Sequence, residues 1–229
     1  MGNLSEFLME ELNVATAFTI PIFGGIEVAE STVISWVIMA IIVILTLVLT
    51  RNMRVEKPGK LQVGVEYAVT ALQNLVRGII GHEGERYVPY LSTVLVFLGI
   101  SNIFAIFGMK SPTKDLNVTA ALALMSIILV QAASIRQNKV GGWLKGFTKP
   151  SKVITPLNVM ELAIRPLSLC MRLFGNVMGA FVVMKLLEHL VPVILPAVFS
   201  LYFDFFDGLL QAYVFVFLTG LYIKEAVEE

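Results

Sequence analysis

Apolar residues fall in long blocks separated by short polar stretches. Residues 32–50 hold no charged side chain and end at Arg51, Arg54, Lys57 and Lys60. A helix needs about 20 apolar residues to cross the hydrocarbon core of a bilayer, so this block predicts a first span. Residues 57–82 follow another rule. Val65, Val69, Leu72, Leu75, Val76 and Ile79 recur at helical spacing, with Gln62, Glu66, Gln73 and Asn74 off that stripe. One apolar face and one polar face predict an amphipathic helix lying on the membrane surface rather than crossing it.

Two more spans are predicted at 88–108 and 116–135. Between them Pro112 and small polar residues stop one helix, and Asp115 or Asn117 can cap the next. A basic loop, 136–153, carries Arg136, Lys139, Lys145, Lys149 and Lys152 and no acid. Residues 154–227 read as a helical hairpin, with Val191, Pro192 and Pro196 at the bend between arms 156–189 and 196–226. Each arm is longer than a perpendicular crossing requires, which predicts steep tilt or extension past the bilayer. The expected fold is all-α. It is one polytopic membrane domain with about five transmembrane helices, one in-plane amphipathic helix, a long tilted C-terminal hairpin, and residues 1–31 as an external N-terminal segment.

Composition agrees. The chain is 57% hydrophobic and only 15% charged, with a mean hydropathy of +0.81. Ordinary soluble domains carry roughly 25% charged residues, and a small soluble fold leaves too much area in water to hide this apolar surface. Net charge is zero, and no basic-aromatic patch exists, so nucleic acid is not an expected partner. Cys170 is the single cysteine; it has no disulfide partner and no neighbours for a metal site, and neither metal nor cofactor is expected. Lys and Arg concentrate in the loops after the first and third spans, which places those loops in the cytoplasm, the amino terminus outside and the carboxyl terminus inside. No Lys or Arg precedes Arg51, so the basic region of a secretory signal is missing. Glu6 breaks the myristoylation pattern.

Arg172 stands out because it lies mid-helix among Leu169, Cys170, Met171, Leu173 and Phe174. An arginine at the bilayer centre costs about 2.5–3.5 kcal/mol on insertion scales, and it cannot shed its charge. Snorkelling to an interface is the ordinary alternative, but both helix ends are distant. Glu161, Arg165, Ser168, Arg172, Asn176 and Gly179 follow at three- and four-residue steps, so they share one face. A polar face that deep must meet protein or water. Asp204, Asp207 and Gln211 form a second stripe in the last helix, amid Phe203, Phe205, Phe206 and Leu210. The aspartates read either as lining a water-filled path on the outer side or as interface anchors and partners of Lys185, with Glu188 and His189 nearby. Two half-paths separated by a fixed cation would block direct leakage of a cation. Passage then requires a moving carrier outside this chain.

The segment Pro166-Leu167-Ser168-Leu169-Cys170-Met171-Arg172-Leu173-Phe174-Gly175-Asn176 resembles the signature of subunit a of F-type ATP synthases. Pro58 to Gln62 with Glu66 resembles that family's in-plane helix. Tyr87 to Pro89, Ser101-Asn102, and Ser111 through Asn117 with Thr119 resemble its middle region. Leu210-Gln211-Ala212 followed by Phe215 resembles its last helix. The resemblance implies an ion-translocating stator that lies against a rotating ring of c subunits, each carrying an ion-binding carboxylate. Arg172 then matches the essential arginine, Gln211 the glutamine facing it, and Asn176 a polar neighbour. Glu161 and Arg165 border the cytoplasmic half-channel, Ser168 joins the ion-translocating set, and Asp204 and Asp207 serve the outer half-channel. Implied partners are the c-ring, the subunit b peripheral stalk, membrane lipid and, indirectly, the soluble catalytic head. The implied location is a bacterial inner (plasma) membrane. Phe181 and Asp204 stand where some members carry an acid and a histidine. The coupling ion is a proton or sodium.

Two other classes compete. A secondary transporter with Arg172 at an anionic substrate site would need a self-contained alternating-access core, and no internal repeat is present. An intramembrane enzyme would need a catalytic constellation, yet His82 and His189 are the only histidines and form no metal-binding pattern. No Gly-x-x-x-x-Gly-Lys segment occurs, so nucleotide chemistry belongs to other subunits.

Overall fold

In the computed structural model, the described residues are 16–20, 26–51, 53–54, 58–82, 84–104, 111–146, 155–190 and 199–228. Among them, four stretches are helices long and apolar enough to cross a membrane: Glu30–Thr50, Leu116–Leu144, Thr155–Glu188 and Leu201–Val227.

Two short strands open the described chain, β1 (Thr16–Ile20) and β2 (Ile26–Ala29). They pair antiparallel, with Phe18 opposite Val28 and Ile20 opposite Ile26, an addition to the expected all-helical plan. The strand β2 runs straight into helix α1 (Glu30–Thr50). Only Ser31, Ile34, Ser35 and Ile38 of α1 are buried, at steps of one helix face. Trp36, Ile44 and Val48 stand exposed. The hydroxyls of Thr46 and Thr50 turn back onto the carbonyls of Ile42 and Thr46, which removes two polar groups from an apolar surface.

Helix α2 (Lys60–Ile80) follows and stops at Gly81, whose φ of 78° suits a glycine. Gln62 folds the preceding segment back on this helix, accepting from Arg54 N at 2.9 Å and donating to Arg54 O at 3.1 Å. Of the apolar face only Val76 and Ile80 are buried, while Leu61 and Val69 are exposed. A 3-10 turn (Glu85–Tyr87) leads into α3 (Val88–Ile103), 16 residues long. At 1.5 Å per residue α3 covers about 24 Å, short of a bilayer core of about 30 Å. The far end of the expected 88–108 span, from residue 105, lies outside the described residues.

A second 3-10 turn (Pro112–Lys114) precedes α4 (Leu116–Gly146). Asp115, rather than Asn117, caps α4: its Oδ1 accepts from the Asn117 amide at 2.9 Å. The helical backbone runs past residue 135 to Gly146, so much of the segment expected as a basic loop is helical. It breaks at Lys139, where φ is 57° and ψ 165°. Arg, Gln and Lys are good helix formers, which explains the continuation past the apolar block. Trp143 donates to Gln131 Oε1 at 2.9 Å across the break.

Helix α5 (Thr155–Leu190) has 36 residues and carries Pro166 inside it. Its length, about 54 Å, far exceeds a perpendicular crossing. A π-helical segment (Leu201–Asp207) then joins directly to α6 (Gly208–Glu228). Helix α4 packs against both α5 and α6. The shared core holds Leu122, Ile127 and Val130 of α4, Leu169 and Leu173 of α5, and Phe215, Val216 and Ile223 of α6. Small residues bring helices close here. At Gly220 an added Cβ would lie 2.9 Å from Ile79 Cγ2, so α2 crosses α6 only because no side chain intervenes. One flank of α5 has no cover, and Leu157, Met160, Ile164, Leu167 and Met171 are exposed along it.

Candidate functional site

A polar seam runs along the edge where α5 meets α6. At the Thr155 end, Arg165 gathers three groups. Its Nη2 lies 2.7 Å from Glu161 Oε1 and 2.9 Å from Glu225 Oε1, and its guanidinium sits 4.8 Å from the Tyr222 ring centroid. The sequence offered Glu161 as the i,i+4 partner. It did not offer Glu225 or Tyr222, which belong to the last turns of α6; their polar ends in an apolar block were the available signal.

Further along, Asn176 Nδ2 donates to Gln211 Oε1 at 2.6 Å. Gln211 is 2% exposed, and its Nε2 has no hydrogen-bond partner among the described residues. Arg172 lies between these two links, one turn or about 6 Å from Asn176. It is half-buried, with buried Leu169, Cys170 and Leu173 on one side and exposed Leu167 and Met171 on the other. Among the described residues Arg172 makes no ion pair and no hydrogen bond. Ser168, one turn back, is exposed. Glu161, Arg165, Ser168, Arg172, Asn176 and Gly179 all lie on the one helix α5.

Asp207 is the last residue of the π-helical segment, four positions before Gln211, and is half-buried. Asp204 belongs to the π-helical segment, and its side chain lies outside the described residues. The wider π turn changes the rotation between positions 204 and 207, so the two aspartates do not follow the 3.6-residue spacing on which the stripe was read. Lys185 pairs with Glu188 at 3.1 Å rather than with Asp207. Phe181 has Lys114 Nζ 3.4 Å and Lys185 Nζ 5.9 Å from its ring centroid. The side chain of His189 lies outside the described residues.

Behind Asp207, a buried network reaches in from α3 and the turn before α4. Asn102 Nδ2 donates to the Gly208 carbonyl at 2.7 Å, and Thr113 Oγ1 donates to Asn102 Oδ1 at 3.0 Å. Ser111 and Thr113 share a hydroxyl contact of 2.7 Å. Ser31 of α1 donates to Asp115 Oδ2, so the first helix is tied to the same region. Chemically, the seam offers a guanidinium at the border of an uncovered apolar face. A carboxylate brought to that face would be held in its charged form.

The family model for the ATP synthase A chain matches residues 32–224. The chain is similar to ATP synthase subunit a of Moorella thermoacetica, 37% identical over 205 residues, which covers 89% of this chain and 93% of that one. It is similar to ATP synthase subunit a 1 of Hahella chejuensis, 34% identical over 207 residues, covering 90% and 87%. ATP synthase subunit a, sodium ion specific, of Propionigenium modestum is 31% identical over 219 residues, covering 89% and 75%. The Arg172 seam and these likenesses along most of the chain agree: the chain belongs to the ATP synthase A chain family.

Proposed function

We propose that the chain is the ion-translocating stator of a rotary ATP synthase, forming two offset half-channels against a c-ring and coupling H+ or Na+ flow to rotation. One observation carries this reading: Arg172 sits at the midpoint of the 36-residue α5, at the border of an uncovered face, with no counter-charge among the described residues.

A ring carboxylate facing lipid stays neutral, protonated or ion-bound, because a bare charge there is costly. Near Arg172 the ionised form is favoured, since an opposite charge within about 4–6 Å lowers a carboxyl pKa. The site therefore releases its ion as it approaches the arginine and reloads after passing it. In this reading Glu161 and Arg165 border the cytoplasmic half-channel, with Ser168 on the same ion-translocating face, and Asp204 and Asp207 border the outer one. Asn176 and Gln211 join α5 to α6 one turn beyond Arg172, and Arg172 keeps the two half-channels apart. Helix α2 lies in the membrane plane, α3 belongs to a fifth crossing, and the amino terminus faces outward in a bacterial plasma membrane. Partners are the c-ring, the subunit b stalk, lipid and, through them, the catalytic head. Moving one charge through 100 mV supplies about 2.3 kcal/mol, and the fixed guanidinium directs that energy into rotation rather than leakage.

The test is ATP synthesis in liposomes by the assembled complex and its Arg172→Ala variant, with proton and sodium gradients applied separately. Loss of synthesis with intact assembly is expected, and the gradient that drives the parent complex identifies the ion. Full synthesis without Arg172 would overturn the mechanism.

A further inference from the structure

We infer that Asn102 is a positioning residue for the outer ion path: it sets the rotation at which the π-helical segment joins α6, and so aims Asp207 into the seam. The inference rests on the reading of Asp207 given above.

A π-helical turn is rare, and it holds only where its surroundings favour it. Here seven residues, Leu201–Asp207, adopt it, and the change to α-helix falls at Gly208. The Gly208 amide is shared between the carbonyls of Phe203 and Phe205. Its own carbonyl accepts from Asn102 Nδ2 at 2.7 Å. Asn102 is 3% exposed, so water does not compete for its amide. The opposite end of that amide is also occupied, because Oδ1 accepts from Thr113. Two occupied ends fix which way the amide points: the NH2 group faces Gly208.

The approach requires a glycine. A Cβ at position 208 would lie 2.8 Å from Asn102 Cβ and would push α3 away from the junction. Position and rotation of the junction are thus set from α3 and from the turn before α4, not from within the last helix. Asp207 precedes the tied residue and Gln211 follows three positions later. A slip of one residue at the junction turns each of them by about 100° and takes Gln211 away from Asn176.

The experiment uses the assembled complex in liposomes with Cys170→Ala, so that one reporter cysteine is placed at a time. Asp207→Cys is the reporter, and Leu221→Cys, further along α6, is the control. Labelling by a membrane-impermeant thiol reagent is timed with and without Asn102→Ala. The expected result is a change of about tenfold in the labelling rate at 207, the factor that matches loss of one net hydrogen bond of about 1.4 kcal/mol, with no change at 221. Without reporters, Asn102→Ala is expected to shift the dependence of synthesis on outer pH or sodium and to leave the inner dependence alone. A purely structural asparagine would lower assembly and move neither profile. Asn102→Asp, which keeps the acceptor for Thr113 but loses the donor, is expected to match Asn102→Ala. If Asn102→Ala fails to assemble, Asn102→Asp and Gly208→Ala carry the same readouts. Unchanged labelling at 207 in an assembled variant overturns the inference, as does failure of all three variants to assemble. Intact synthesis in Asp207→Asn alone would instead overturn the channel role given to Asp207.

Discussion

The side-chain amide of Asn176 donates to Gln211 across 2.6 Å, joining α5 to α6 one turn beyond Arg172. Its loss leaves Gln211, which is 2% exposed, with both ends of its amide unpaired among the described residues. A buried polar group left without a partner costs about 1–3 kcal/mol. Asn176→Ala is therefore expected to assemble and to lower ion-driven synthesis by about tenfold, while Arg172 still blocks leakage. Synthesis rate and passive ion leak through the membrane sector check both halves; an increase in leak equal to that of Arg172→Ala would contradict the division of roles.

Arg172→Lys keeps a basic group in place and is nevertheless expected to fail. A buried lysine readily loses its charge, and an ammonium lacks the planar fork of donors. Synthesis should fall by at least about tenfold, with leak rising above that of the parent complex. The same liposomes, read for ATP formation and for dissipation of an imposed gradient, decide it.

Arg165 binds two carboxylates, so removing one of them should matter little. Glu161 and Glu225 are each 49% exposed, and ion pairs of that kind contribute about 0.2–1 kcal/mol. Glu225→Gln is expected to leave the thermal stability of the purified complex almost unchanged. Arg165→Ala loses both pairs and the ring contact with Tyr222, and should lower stability more than Glu161→Gln and Glu225→Gln do individually. A double-mutant cycle between positions 165 and 225, read by thermal melting, isolates the inter-helix part.

Asp115 serves two helices at once, capping α4 and accepting from Ser31 of α1. Asp115→Ala should cost about 1–2 kcal/mol for the cap alone. Asp115→Asn retains a cap acceptor and should lose less. Thermal melting of the assembled complex, alongside Ser31→Ala, separates the two contributions: Ser31→Ala affects only the link to α1.

The long elements were legible because one-dimensional signals control them. An uncharged block forces α1, and the length of the apolar pattern forces α5. The face that carries Arg172 followed from spacing, since nothing in α5 interrupts the turn between Arg165 and Asn176 except Pro166, which lies on the near side of Arg172. Less legible were features that depend on residues distant in sequence. Glu225 reaches Arg165 from 60 positions away, and only the crossing of two helices brings them together. The π-helical turn beneath Asp204 and Asp207 was invisible for the same reason: its end is tied by Asn102, on another helix. Helix α4 overran the expected loop because good helix formers continue a helix without an apolar face.

In mechanical terms α1 is a cantilever. Its buried residues stop at Ile38, its anchored end is held by the Ser31–Asp115 bond, and no residue from Met39 to Thr50 is buried. The first helix is thus fixed to the rest of the fold near its start and leaves most of its later surface uncovered among the described residues.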